Sequence, residues 1–231
     1  MFILIYYLII AEIGSLQLNN IGVNGFNFCS KNKNLPDLCG HIKDENGLTK
    51  EHIACEPGVL KRKGELSYSY PMTEKLKNHI LHLHNVYRND IASGTTVAGS
   101  LESKFPIALR MRELIWDDEL AYLAHVQALR CNDQLIDICR ATRRFLYPGE
   151  TKASKMTNTE ITAIDFITEV LKSYQSQKSE ITDPRIQMHL HSVSNDVAKD
   201  FLTMIMDRIS RVGCAISVCR NCYPESGDRT K

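Results

Sequence analysis

The sequence predicts an α+β fold in which helices sandwich a small sheet, and three observations carry that prediction. Four segments after Pro71 repeat apolar residues every three or four positions, the period of a helix with one buried face. Val212, Cys214, Ile216 and Val218 then alternate with Gly213, Ala215 and Ser217, the period of a strand. Eight cysteines fall into three groups: Cys29, Cys39 and Cys55; Cys131 and Cys139; and Cys214, Cys219 and Cys222. Groups this far apart can pair only if distant segments fold back on one another, the pattern of a disulfide-framed extracellular domain.

Phe2 to Ala11 is a continuous apolar run, about the length of a signal-peptide h-region and short of the ~20 residues that span a bilayer. Residues 1–18 are therefore read as a leader outside the fold, in preference to a buried N-terminal strand or a retained anchor. Glu12 interrupts the apolar tail and the small Gly14 and Ser15 follow, so the mature chain is expected to start between about Gly14 and Asn20. Residues 19–72 form a Cys-containing extension. From Gly22 to Tyr70 it is rich in Asn, Gly, Lys and Cys without a sustained period, a loop-rich wrap that needs a body to be pinned to.

That body spans 73–223, and 224–231 is a short polar tail. Thr73 caps a first helix that carries Leu76, Ile80, Leu83, Tyr87 and Ile91 on one face. Ala92 to Pro106 reads as a surface loop and Leu114 to Trp116 as a short strand or buried entry. Asp117 then caps a second helix with Leu120, Leu123, Ala124 and Ala128 on its stripe. Pro148-Gly149 breaks the chain. A third helix, from about Thr159 to Gln177, directs Ile161, Ile164, Thr168, Leu171 and Tyr174 inward, and a fourth, from about Asn195 to Asp207, directs Val197, Phe201 and Met204 inward.

A chain of 231 residues fits one domain plus a leader. Its formal net charge of +1, with bases scattered among acids, argues against a nucleic-acid binder. No N-x-Ser/Thr sequon is present, and no later run is long and apolar enough to span a membrane.

Taken in order, several short motifs resemble the CAP superfamily of cysteine-rich secretory, antigen 5 and pathogenesis-related proteins, and most of all the arthropod antigen 5 or venom-allergen group. The matching pieces are Leu38-Cys39-Gly40, His52-Ile53-Ala54-Cys55, Leu83-His84-Asn85 with Tyr87-Arg88, Met111-Arg112-Glu113-Leu114 with Trp116-Asp117 and Leu120-Ala121, Cys139-Arg140, Asp207-Arg208, and Arg211-Val212-Gly213-Cys214-Ala215. Each alone is weak; the ordered set is specific. The resemblance implies an α-β-α sandwich and disulfides Cys29–Cys55 and Cys39–Cys139. A third family bridge would tie Cys131 to a cysteine just before the first helix, but Ser69-Tyr70-Pro71 stands there. By resemblance Cys214 pairs with Cys222, which leaves Cys131 and Cys219 to pair with each other or stay reduced. Family members usually continue beyond the position of Lys231 through another strand.

The family resemblance also implies a cleft lined by two His and two Glu, a set able to hold a divalent cation. Carried over residue by residue, the positions are Ile136, Glu150, Gln177 and Asp200. One possible ligand of four is not a metal site, and Glu150 is read as a solvated loop carboxylate. Other histidines do not replace the set. His82 and His84 point apart on a helix, His79 and His82 lack a third ligand, His84 reads as structural, and His189 and His191 read as surface loop. No nucleophile motif such as G-x-S-x-G and no phosphate loop occurs, and His125 and Cys131 do not share a helix face. No catalytic residue, cofactor or tight zinc binding is expected.

These readings imply a secreted, non-enzymatic antigen 5-like scaffold whose partner is an extracellular protein or a lipid or sterol held near Leu171, Tyr174 and Phe201. The alternatives are a metal-dependent hydrolase that keeps the family cleft, which the missing His/Glu set disfavours, and a degenerate paralogue acting only through its surface.

Overall fold

Strand β7 (Ile209–Arg220) organises the molecule, because its two faces carry different partners. Val212, Cys214, Ile216 and Val218 enter the larger core, whereas Ala215 and Cys219 enter a second one. Alternation along a strand produces this division. The computed structural model describes residues 28–29, 38–44, 46–55, 64–99, 103–131, 139–181 and 198–221, and the backbone of 2–12.

Helices α1 (Glu74–Ala92), α3 (Ala163–Ser176) and α4 (Lys199–Ile205) contribute Ile80, Phe166, Ile167, Leu171, Phe201 and Met204 to the larger core. Helix α2 (Asp118–Ala128) covers the opposite face of β7 through Leu120, Leu123, Ala124 and Ala128. The layers are helix, sheet and helix, as the sequence predicts. Local chemistry sets the helix starts: the Thr73 hydroxyl accepts from the Leu76 amide, and the Asp117 carboxylate accepts from the amides of Glu119 and Leu120. α3 begins later than its sequence pattern suggested, with Thr162 as cap. Its core face is therefore Phe166, Ile167, Val170, Leu171 and Tyr174, while Ile161 and Ile164 are only partly buried.

Gly213 sets the distance between β7 and α2. A Cβ at this position would lie 2.1 Å from the Ala121 nitrogen and 2.4 Å from the Leu120 carbonyl carbon. Only a residue without a side chain lets the two backbones approach so closely.

The main sheet runs β2 (Glu65–Ser69), β7, β1 (Phe2–Glu12), β6 (Gly149–Thr157), with β5 (Ile115–Trp116) parallel to β7. Residues 2–12, read from the sequence as part of a leader outside the fold, have strand partners in this sheet. The run Phe2–Glu12 lies between two partners, antiparallel to β6 from Phe2↔Thr157 to Ile10↔Gly149 and antiparallel to β7 from Phe2↔Arg220 to Glu12↔Ile209. An h-region and a central strand both require an unbroken apolar run, so composition alone fits either role. Two further strands lie where loop was expected. β2 falls in the N-terminal wrap, and β6 follows the Pro148-Gly149 break. The expected surface loop at 92–106 contains a small hairpin, β3 (Val97–Ala98) with β4 (Ser103–Lys104).

Cys29 is bonded to Cys55 and Cys39 to Cys139, which pins the wrap to the body. Cys131, whose partner the sequence left open, is bonded to Cys219 and ties the end of α2 to β7. Cys222, the partner implied for Cys214, lies outside the described residues. Cys214 itself is buried in the larger core, and β7 runs extended from it to Arg220, about 20 Å at the usual rise.

Candidate functional site

Most of the motif residues serve as joints. Arg88, 2% exposed, donates to the carbonyls of Met204, Met206, Arg112 and Ile209, so one guanidinium on α1 gathers the end of α4, the start of β7 and the loop before β5. Burial lowers its pKa to about 10, a cost that Asp207 partly offsets. Asn85 clasps Leu114 through both its amide and its carbonyl. His84, fully buried, donates to the Ile80 carbonyl, and burial pulls its pKa down to about 4. His52 stacks on Phe28 at 4.7 Å, accepts from the Ala54 amide and donates to the Ala141 carbonyl, with its pKa lowered by burial. His79 meets the Thr168 hydroxyl across α1 and α3, and His82 is exposed. None of these rings stands in a ligand set. His189 and His191 lie outside the described residues.

The cleft positions are brought together in a different form from the one expected. Ile136 lies outside the described residues. Glu150 is not a solvated loop carboxylate: it sits on β6, its side chain is 7% exposed, and it pairs with Arg140 at 2.5 Å. Burial raises its pKa, and Arg140, Lys152 and Lys199 act in the opposite direction. Its second oxygen, Oε1, is buried and has no hydrogen-bond partner among the described residues. Gln177 donates to Asp200 at 3.3 Å and accepts from the Phe201 amide at 3.0 Å, so the two remaining positions close on one another and on the start of α4. Burial also raises the Asp200 pKa, against the hydrogen bond from Gln177. The buried Tyr174 phenol feels both carboxylates, pushed up first by desolvation, then by Asp200 and, more weakly, by Glu150.

A divalent cation does not fit this arrangement. The family pattern would place a cation beside the Glu150 carboxylate, but here the Arg140 guanidinium is already there, and Lys152 and Lys199 add positive charge. An amide and a short carboxylate are the other two described positions. Among the described residues no group of three His, Cys, Asp or Glu could hold a metal. Arg140 was visible in the sequence only as the neighbour of Cys139; its charge role depends on β6 lying beside it, which spacing did not reveal.

The residues expected to line an apolar cleft fill the core instead: Leu171 and Phe201 are 0% exposed and Tyr174 3%. A pocket of about 260 Å³ opens elsewhere, lined by Tyr68, Tyr70, Ile161 and Val218 with Thr157, Thr159, Glu160 and Arg220. The Tyr68 hydroxyl donates to that of Tyr70, which donates to the Ile161 carbonyl. Tyr70, which stands where the resemblance implies a cysteine, builds this wall.

The fold is a three-layer α+β domain with a disulfide-pinned wrap, a buried arginine clamp and a largely buried ion pair. The chain belongs to the CAP, or cysteine-rich secretory protein, family, whose model matches residues 81–224. It is similar to the antigen 5 like allergen Cul n 1 of Culicoides nubeculosus, 33% identical over 196 residues and covering 82% of each chain. It is also similar to tablysin 15 of Tabanus yao, 29% identical over 72% of this chain and 62% of that one. Venom allergen-1 of Aedes albopictus is 31% identical over 63% of this chain and 54% of its own. The chain thus spans less than two thirds of the length of the latter two.

Proposed function

We propose that this protein is an extracellular, non-enzymatic CAP scaffold of the antigen 5 type that acts by binding rather than by turnover. The observation that carries the reading is the Arg140–Glu150 pair, because a carboxylate already held by a guanidinium is a poor metal ligand. The three disulfides among the described residues support an oxidising compartment. The similarity to proteins named allergens supports the same setting. An apolar ligand belongs in the pocket beside Tyr68 and Tyr70, whose volume, at the small end for such sites, suits a short or partly inserted molecule.

The test is calorimetric titration of the oxidised full chain with zinc, alongside ester and peptide hydrolysis with and without zinc. No stoichiometric binding and no turnover above buffer are expected. Tight binding or turnover that disappears in Glu150→Gln or Asp200→Asn would overturn the reading and restore the hydrolase.

A further inference from the structure

The segment from Lys104 to Arg112 combines three exposed cations with an exposed apolar tip. Leu109 is 94% exposed and Ile107 70%, the two most exposed large hydrophobic residues after Tyr147 is set aside at 74%. Lys104, Arg110 and Arg112 flank them, all exposed and none in an ion pair among the described residues. The acid next in sequence, Glu113, turns toward Asn85 at 3.4 Å.

The tip is held in place. Phe105 is 1% exposed and packs edge-on to Phe201 at 5.8 Å, anchoring the N-terminal side. The Arg112 carbonyl accepts from Arg88, and Leu114 is buried, anchoring the other. Between them the Ala108 amide donates to the Ala92 carbonyl at the end of α1. Ile107 also rests over Gly94, where an added Cβ would lie 2.6 Å from its Cγ1. Two apolar side chains are thus presented on a rigid convex loop, with cations set on both sides.

We propose that this loop docks the protein on anionic lipid surfaces, Ile107 and Leu109 entering the headgroup layer while Lys104, Arg110 and Arg112 meet lipid phosphates and carboxylates. A convex apolar tip fits a deformable interface, and a protein groove is the alternative partner. The chain's net charge of only +1 means that overall basicity does not attract it, so the local trio must. Each base near an anionic bilayer contributes about five-fold in partition, on the order of a hundred-fold for three. This inference extends the scaffold reading by naming a surface, and it stands whether or not the cleft is catalytic.

The experiment is co-sedimentation of the oxidised full chain with phosphatidylcholine vesicles and with vesicles in which a third of the lipid is phosphatidylserine. Binding to the anionic vesicles should exceed that to the neutral ones by more than ten-fold and weaken with salt. Arg110→Glu and Leu109→Ser should each reduce it by about ten-fold without lowering the melting temperature, since both side chains are free of the core. Equal partition into both vesicles, or anionic binding unchanged in both variants, would overturn the proposal. Failure to bind either vesicle would also overturn it and assign the loop to an acidic protein groove.

Discussion

Replacing Cys131 and Cys219 together by Ala isolates the bridge between the end of α2 and β7. The bond closes 88 residues of sequence. In the chain-entropy treatment a loop of that length stabilises the folded state by about 4.6 kcal/mol, with loss of the buried sulfurs adding roughly 1 kcal/mol. Cys131 sets up a second, sharper comparison. Its φ is +48°, in the left-handed region, where a side chain costs about 1–2 kcal/mol and glycine nothing. Cys131→Gly in the Cys219→Ala background should therefore be about 1 kcal/mol more stable than Cys131→Ala in the same background, although it removes more atoms. Urea unfolding of the oxidised proteins gives both differences. At about 2–4 °C per kcal/mol for a chain this size, the double Ala variant should melt roughly 10–20 °C lower. A loss under ~1 kcal/mol, or a peptide map joining Cys131 to any cysteine but Cys219, would refute the reasoning.

Three further outcomes follow from the same geometry. Gly213→Ala should cost at least ~3 kcal/mol in denaturant unfolding, because the added carbon meets α2 backbone rather than a side chain that can swing away; an unchanged midpoint would mean that α2 does not lie so close. Deleting residues 1–12 should strip hydrogen-exchange protection from about ten amides of β6 and β7, the share of their ladder that faces β1; unchanged protection would return the segment to the role of a removable leader. Burial holds His84 at about 4 against an ordinary 6.5, so the unfolded chain takes up that proton first and stability falls as pH drops from about 6.5 to 4, by about 3 kcal/mol in all. Glu119, Glu150 and Asp200, raised by burial, have the opposite slope, losing stability as pH rises above the ordinary carboxylate range. The difference between wild type and His84→Gln across that window therefore isolates the histidine; parallel profiles would contradict its burial as a neutral ring.

What the sequence showed and what it hid divide along local and non-local lines. The helices were legible because their caps and stripes lie within a few residues: Thr73, Asp117 and the spacing of Leu120, Leu123 and Ala124 need no knowledge of the rest of the chain. β6 was missed because ETKASKMT carries no apolar alternation, and its place in the sheet comes from β1, nearly 150 residues away. Glu150 inherited that error: read as loop it looked solvated, whereas a strand position beside Arg140 makes it half of a buried pair.

The Cys131–Cys219 bond was different, because its signal was present in the sequence. Val212, Cys214, Ile216 and Val218 were already assigned to one face of a strand, so Cys219, an odd number of residues from each of them, had to face the other way. The other face belongs to α2, whose close approach Gly213 permits and whose last turn ends beside Cys131. Parity along β7 thus assigns Cys214 to the helix layer of α1, α3 and α4 and Cys219 to that of α2, without comparing any cysteine spacing. Tyr70, standing where the resemblance would put a cysteine, then has two consequences. It leaves Cys131 available to Cys219, and it places a phenol beside Tyr68 to wall the pocket at the sheet edge.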